Sequence, residues 1–178
     1  MLKFIDKVLI QLSPFLHRKL KNWLNNFRKK NFPKLSKKEF TELLINDLNI
    51  KTGDCLFIHS SMRRLYLNFP KKDFLSILQE LVGKEGTLIF PCWQFNIRAE
   101  DYINENDIIF SQLESPSAMG KLSDVLRSEK NAFRSFHPTN SVISIGKHAK
   151  EITTGHENDI YPCGESSPFF KMMKFNAK

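Results

Sequence analysis

The sequence predicts an α/β fold, a central mixed β-sheet flanked by helices, incomplete toward the C-terminus and preceded by an amphipathic helical segment. Three short apolar runs, Cys55–Ile58, Thr87–Phe90 and Ser141–Ile145, are each bounded by glycine, proline or small polar residues, as strands are. Between them lie stretches with helical apolar spacing, and a strand, helix, strand order implies a parallel crossover. With 178 residues, 41% hydrophobic and 12% aromatic, the chain is long and apolar enough for one core and is not a disordered polymer.

The first 34 residues form a separate unit. Leu2, Ile5, Leu9 and Leu12, then Leu16, Leu20, Trp23, Leu24 and Phe27, recur at helical spacing on either side of Ser13-Pro14, and Pro33 ends the pattern. Residues 1–34 hold nine Lys or Arg against Asp6 alone, whereas residues 35–178 hold eighteen basic and eighteen acidic side chains. The net charge of +8 therefore resides in this extension, and the balanced remainder argues against nucleic-acid binding. Two readings of residues 1–34 stand side by side: a helical cap or partner-binding helix pair, and a peripheral contact with an anionic membrane surface.

Residues 35–178 form the main domain. Ser36 and Glu39 make a capping box, and Phe40, Leu43, Leu44 and Leu48 give the helix that follows one apolar face. Gly53 turns the chain into the first strand. A helix is predicted over about Lys72 to Val82, stopped by Gly83, and the turn at Lys84-Glu85-Gly86 leads into the second strand, which Pro91 ends. Residues 91–117 read as a long irregular connection of the kind that forms lids and binding loops. A helix from Ala118 to Arg127, a turn-rich segment, the third strand and a short helix near Lys147 to Thr153 complete the pattern, with no element predicted beyond Phe170.

No apolar run reaches the roughly 18 residues that a membrane span needs, and the N-terminus lacks a cleavable leader pattern, so a cytoplasmic protein is expected. Cys55, Cys92 and Cys163 are widely spaced and odd in number, which fits reduced thiols. No His, Cys or acidic group recurs at ligand spacing, and no metal is expected.

The richest stretch is Gly53-Asp54-Cys55-Leu56-Phe57-Ile58-His59-Ser60-Ser61-Met62, a strand that runs straight into an imidazole and two hydroxyls. Together with Gly86-Thr87-Leu88-Ile89-Phe90-Pro91, Ser115-Pro116-Ser117-Ala118-Met119-Gly120, Arg127, Arg134 through Val142, Gly146, Ala149, His156, Gly164 and Ser167-Pro168-Phe169, it resembles the aminoglycoside 3-N-acetyltransferase family over residues 36–170. The resemblance implies a mixed-sheet α/β fold and transfer of an acetyl group from acetyl-coenzyme A to an amine of an aminoglycoside or related amino sugar. It also implies that His59, Ser60, Ser61 and Met62, with Ser117, Met119 and Gly120, contact the coenzyme. Small hydroxyls and exposed amides at a strand-to-helix turn suit a pyrophosphate and amides, and Arg63 and Arg64 either meet phosphate or form a solvated pair.

Two departures from the family pattern stand out. Cys92 replaces a hydroxyl residue after the second strand, and no counterpart of the family's later core strand and general-base histidine follows Phe170, so the chain reads as a C-terminally shortened member with a partial N-acetyltransferase domain over 35–178. An acceptor amine is mostly protonated at neutral pH and needs a base near its own site. Among the remaining histidines, His59 and His137 are the candidate catalytic imidazoles, each with a structural alternative in which the ring holds a turn. His17, His148 and His156 have no partner in view, and Cys92 as nucleophile is the less favoured option to a small buried thiol.

Glu100, Asp101 and Asp107, with Glu105 and Glu114, offer negative charge to a polycationic acceptor, or else form a solvated loop. Three functions follow: aminoglycoside acetylation, acylation of an amino sugar in surface-polysaccharide synthesis, and a catalytically silent chain that retains coenzyme A or partner binding. An unpaired sheet edge at the missing segment would invite self-association.

Overall fold

The computed structural model describes residues 13–62, 64–105 and 109–178. The helix expected over residues 2–12, and the candidates Arg63 and Asp107, lie outside the described residues.

Helix α1 (Pro14–Asn31) is followed by α2 (Lys37–Glu42), whose last turn widens into a π-helical turn over Leu43–Asp47. The capping box is formed as read: the Glu39 amide donates to Ser36 Oγ at 3.2 Å and the Ser36 amide to Glu39 Oε2 at 2.8 Å. Strand β1 (Cys55–Phe57), helix α3 (Lys71–Val82) and strand β2 (Thr87–Pro91) make a parallel crossover unit, with Leu56 opposite Leu88. Helices α4 (Ala99–Glu105) and α5 (Lys121–Arg127) precede β3 (Ala132–Arg134) and β4 (Val142–Gly146). Helix α6 (Ala149–Thr153), a 3-10 turn over His156–Asn158 and helix α7 (Pro168–Lys174) follow.

The sheet order is β1-β2-β4-β3, with β4 antiparallel to both neighbours, so the sheet is mixed. Strand β2 is central and buried on both faces, which is why it reads as an unbroken apolar run. Its side chains alternate: Leu88 and Phe90 join Phe40, Phe74, Leu78 and Val82 on one face, while Ile89 joins Cys55, Val142, Ile152 and Met172 on the other. Gly146 closes β4 at φ 121°, where a Cβ would stand 2.3 Å from the Gly86 carbonyl oxygen, so only glycine lets β4 approach the start of β2.

Two expectations are corrected, and β3 and α7 are added to the elements read from the sequence. The 91–117 connection is not irregular throughout, because α4 forms within it and Tyr102 stacks on Phe95 at 4.5 Å. The helix expected from Ala118 begins at Lys121, because Gly120 takes φ 121° and holds the preceding residues in a turn. Strand β3 was too short to show a period. Helix α7 was missed although Ser167 caps it, accepting from the Phe170 amide at 3.2 Å, and Pro168 opens its first turn.

The outer edge of β1 is also not bare. The Phe57 amide donates to the Lys178 carbonyl at 2.8 Å and the Lys178 amide to the Cys55 carbonyl at 2.9 Å, a parallel pairing reinforced by Lys178 Nζ on Asp54 at 2.6 Å. No described helix is long and apolar enough to cross a membrane.

Candidate functional site

Strands β1 and β2 are parallel neighbours, so their C-terminal ends reach the same rim of the sheet, the usual place for a ligand crevice in such sheets. Beyond β1, Ile58 continues the pairing by donating to the Ile89 carbonyl at 2.8 Å, and the chain then turns through His59 to Met62, closed by the Arg64 amide on the Ser61 carbonyl at 2.8 Å. Facing this turn, α5 is tied to the end of β2 by the Ser123 hydroxyl, which donates to the Pro91 carbonyl at 2.7 Å. The gap between the two is a cleft of ≈ 570 Å³.

Ser60, Ser61 and Met62 form one wall of the cleft, Met119, Gly120 and Lys121 the other, and Ile58, Phe90 and Pro91 contribute apolar surface. The fold thus brings five residues singled out from the sequence, Ser60, Ser61, Met62, Met119 and Gly120, around a single space. His59 is exposed in an adjoining recess of ≈ 590 Å³ beside Arg64, and its ring meets Trp93 edge-on at 6.5 Å. Ser117 supports the far wall: its Oγ accepts from the Met119 amide at 3.1 Å while its own amide donates to Asp124 at 3.0 Å.

Two features of this cleft fit a polar ligand. Ser60 Oγ is buried and has no hydrogen-bond partner among the described residues, a state that costs free energy until something fills it. At Gly120, nothing lies within 4 Å of the position a Cβ would take. The backbone there is open to close approach.

Behind the cleft, most polar groups are paired, with Arg127 Nε the buried exception among the described residues. Arg134 is 7% exposed, and its guanidinium donates to the carbonyls of Cys92 and, at 2.5 Å, Ser115, while its plane covers the Phe110 ring at 4.8 Å. Burial pushes the Arg134 pKa down from its usual value. Ser141 Oγ adds a second donor to the Cys92 carbonyl at 2.9 Å. Arg127 reaches the Leu113 carbonyl at 2.5 Å and Asp124 at 3.3 Å. Arg134 thus ties the segment before Ser117 to β3 and Arg127 ties it to α5, which places Ser117 to Gly120. The Cys92 thiol itself is fully buried, which pushes its pKa up and removes it from thiolate chemistry.

His137 and His156 lie elsewhere, stacked on each other at 4.4 Å. His137 Nδ1 accepts from the amides of Thr139 at 3.3 Å and Asn140 at 3.2 Å. His156 is fully buried; its Nε2 sits 2.9 Å from the Pro162 carbonyl, which can only accept, so Nε2 carries the proton and Nδ1 takes the Ser135 hydroxyl at 3.0 Å. Burial lowers the pKa of both rings. The reading of His156 as lacking a partner is therefore corrected. The signal that could have found it is the pairing of two histidines with small hydroxyl residues on turns that the sheet brings together.

The acidic residues of the loop stand apart: the described residues lining the cleft include none of Glu100, Asp101 or Glu114, and Glu100 is paired with Arg98 at 2.7 Å. Sequence reasoning passed over Trp93 and Lys121. Each adjoins a residue it did weigh, Cys92 and Gly120, which is the signal that was available.

A family model described as aminoglycoside 3-N-acetyltransferase matches residues 57–178. The chain belongs to the aminoglycoside 3-N-acetyltransferase family. It is 27% identical over 149 residues to aminoglycoside N(3)-acetyltransferase IX of Micromonospora chalcea, covering 74% of this chain and 51% of that protein. It is 27% identical over 157 residues to the SPbeta prophage-derived aminoglycoside N(3')-acetyltransferase-like protein YokD of Bacillus subtilis, covering 79% of this chain and 57% of YokD. In fold it resembles AAC-IIIb, solved as a binary complex with CoASH, at a TM-score of 0.65 and 22% identity, over 80% of this chain and 57% of that one. The chain spans about half the length of the curated relatives it matches.

Proposed function

We propose that this chain builds the coenzyme side of an acetyl-coenzyme A-dependent N-acetyltransferase whose acceptor is an amine of an aminoglycoside or related amino sugar. The observation that carries the reading is the cleft at the C-terminal ends of β1 and β2, lined by five of the seven residues that the family resemblance assigns to the coenzyme. The orphaned Ser60 hydroxyl and the open backbone at Gly120 fit a ligand rich in carbonyl and phosphate oxygens.

Acetyl-coenzyme A would supply the activated acyl group. In the chain itself, Ser60 Oγ donates a hydrogen bond to a ligand carbonyl or phosphoryl oxygen, and Ser61 and the backbone at Gly120 offer further polar contact. Lys121 and Arg64 set positive charge at the cleft and its adjoining recess, where a pyrophosphate gains most from it. Ile58, Phe90 and Met62 give the aliphatic part of a ligand an apolar wall. His59 is the imidazole beside this space, its ring edge-on to Trp93. A polycationic acceptor would be drawn toward the acidic loop through Asp101 and Glu100, the latter already sharing its charge with Arg98. The cysteines Cys55, Cys92 and Cys163 are all unpaired, in keeping with a reducing cytoplasm.

A second reading is favoured by the engagement of His137 and His156 in the interior: the chain binds coenzyme A without transferring its acyl group. Thiol release from acetyl-coenzyme A, followed with and without kanamycin-type and nucleotide-linked amino sugars, decides between them. Acceptor-dependent thiol release supports transfer and identifies the acceptor class. Saturable coenzyme binding with no acceptor-dependent release supports the silent reading.

A further inference from the structure

Helix α1 lies outside the segment that matches the family, and nothing in the coenzyme cleft uses it. It spans Pro14–Asn31 and carries six Lys or Arg and no Asp or Glu. With about 100° between successive residues, Phe15, Leu16, Leu20, Trp23, Leu24 and Phe27 fall on one half of its circumference together with Lys19 and Lys30, Lys19 lying over the Phe15 ring at 4.8 Å, while Arg18 and Lys21 fall on the other half.

The apolar half is not covered by the domain. Trp23 and Leu16 are each 60% exposed, Phe15 57%, Phe27 53%, and even Leu20 and Leu24 remain 42% and 37% exposed. Trp23 stacks on Phe27 at 5.7 Å, so the two rings present one aromatic surface. An apolar face of this size on an otherwise charge-balanced domain marks a docking surface.

Charge decides what docks there. Two copies of α1 laid face to face would bring twelve cationic side chains together with no carboxylate on either helix to offset them. An anionic bilayer supplies the opposite sign over a plane, and it takes Trp, Phe and Leu into the headgroup region while Lys and Arg stay at the phosphates. We propose that α1 docks the protein on an anionic phospholipid surface, lying flat with Trp23 and its apolar neighbours inserted and its Lys and Arg side chains reaching out to the headgroup phosphates.

The test is flotation of the full chain with phosphatidylglycerol-containing vesicles and with pure phosphatidylcholine vesicles, alongside gel filtration. The expected result is monomeric protein that floats with the anionic vesicles at least about tenfold more strongly than with the neutral ones, the difference collapsing at about 1 M salt. Two double variants, Leu20→Glu with Trp23→Glu and Arg18→Glu with Lys21→Glu, should each cut anionic flotation by about tenfold or more. All four positions are exposed, so the thermal melt of the domain should not move. Equal flotation on neutral vesicles, no flotation at all, a dimer that disappears on Leu20→Glu with Trp23→Glu in place of lipid binding, or flotation that survives both variants would each overturn the proposal.

Discussion

The back wall of the cleft and its lip are built on opposite principles. Behind it, Arg134 is buried and satisfied by main-chain carbonyls, and Ser123 and Ser141 hold the end of β2 by short hydrogen bonds. At the lip, Ser60 Oγ is buried with no partner, and the backbone at Gly120 faces open space. Of the two buried polar atoms around the cleft left without a partner among the described residues, Ser60 Oγ and Arg127 Nε, Ser60 belongs to a residue that lines it. The back wall is held by its own hydrogen bonds, and the lip leaves a hydroxyl unpaired.

The sharpest way to break this contrast is at Arg134. Replacing it by methionine keeps much of the volume but strips the donors from the Cys92 and Ser115 carbonyls. Ser141 still serves the Cys92 carbonyl, so only the Ser115 carbonyl is left alone, and Arg134→Met should lose about 1–3 kcal/mol in a urea titration. It should also loosen the Ser117 to Gly120 segment that the arginine holds in place. A variant as stable as the parent would show that the back wall is not held in this way.

Next in size is an effect of pH on the stacked histidines. Unfolded imidazoles titrate near pH 6.5, and burial holds His137 and His156 below that. Below about pH 6.5 the unfolded chain therefore binds more protons than the folded one. The stability these neutral rings permit is present above that pH and is lost as the pH falls toward and through the folded values, at up to about 1.4 kcal/mol per pH unit for each ring. Urea titrations at about pH 7.5 and about pH 5 should show the loss, and His156→Gln should flatten it. An unchanged slope in that variant would remove His156 from the account.

At the lip, Gly120→Ala meets no neighbour but must hold φ near 121°, so strain alone should cost about 1–2 kcal/mol in the melt. A cost near zero would mean the backbone relaxes out of that conformation.

Much of the fold could be read from the residues because local and global signals agreed. The apolar run Thr87–Phe90 reads as a central strand because both its faces are buried, and the Ser36–Glu39 box announces its helix by pairing the groups that need pairing. What escaped reading was decided by tertiary contact. Strand β3 is three residues long and exists because β4 pairs with it, and α4 packs Tyr102 on Phe95 without an apolar period of its own. Helix α7 is a different case: Ser167-Pro168 was a legible start signal that went unused. In the site, the turn after β1 and the Ser117 to Gly120 segment could be named from motif order, but only the sheet shows that they face one cleft. The opposite holds for His156, whose role depends on Ser135 and Pro162 lying beside it in space.

The most direct test of the central claim is calorimetric titration of coenzyme A into the parent protein and into Ser60→Ala, with thermal melts of both without ligand. Removing a hydroxyl that has no partner should leave the free protein's stability within about 0.5 kcal/mol, while the lost ligand hydrogen bond should weaken coenzyme binding about threefold to tenfold. Saturable binding to the parent, weakened in Ser60→Ala at unchanged melting temperature, is the predicted result. No binding to the parent, or equal binding to both proteins, would contradict the assignment of this cleft to the coenzyme.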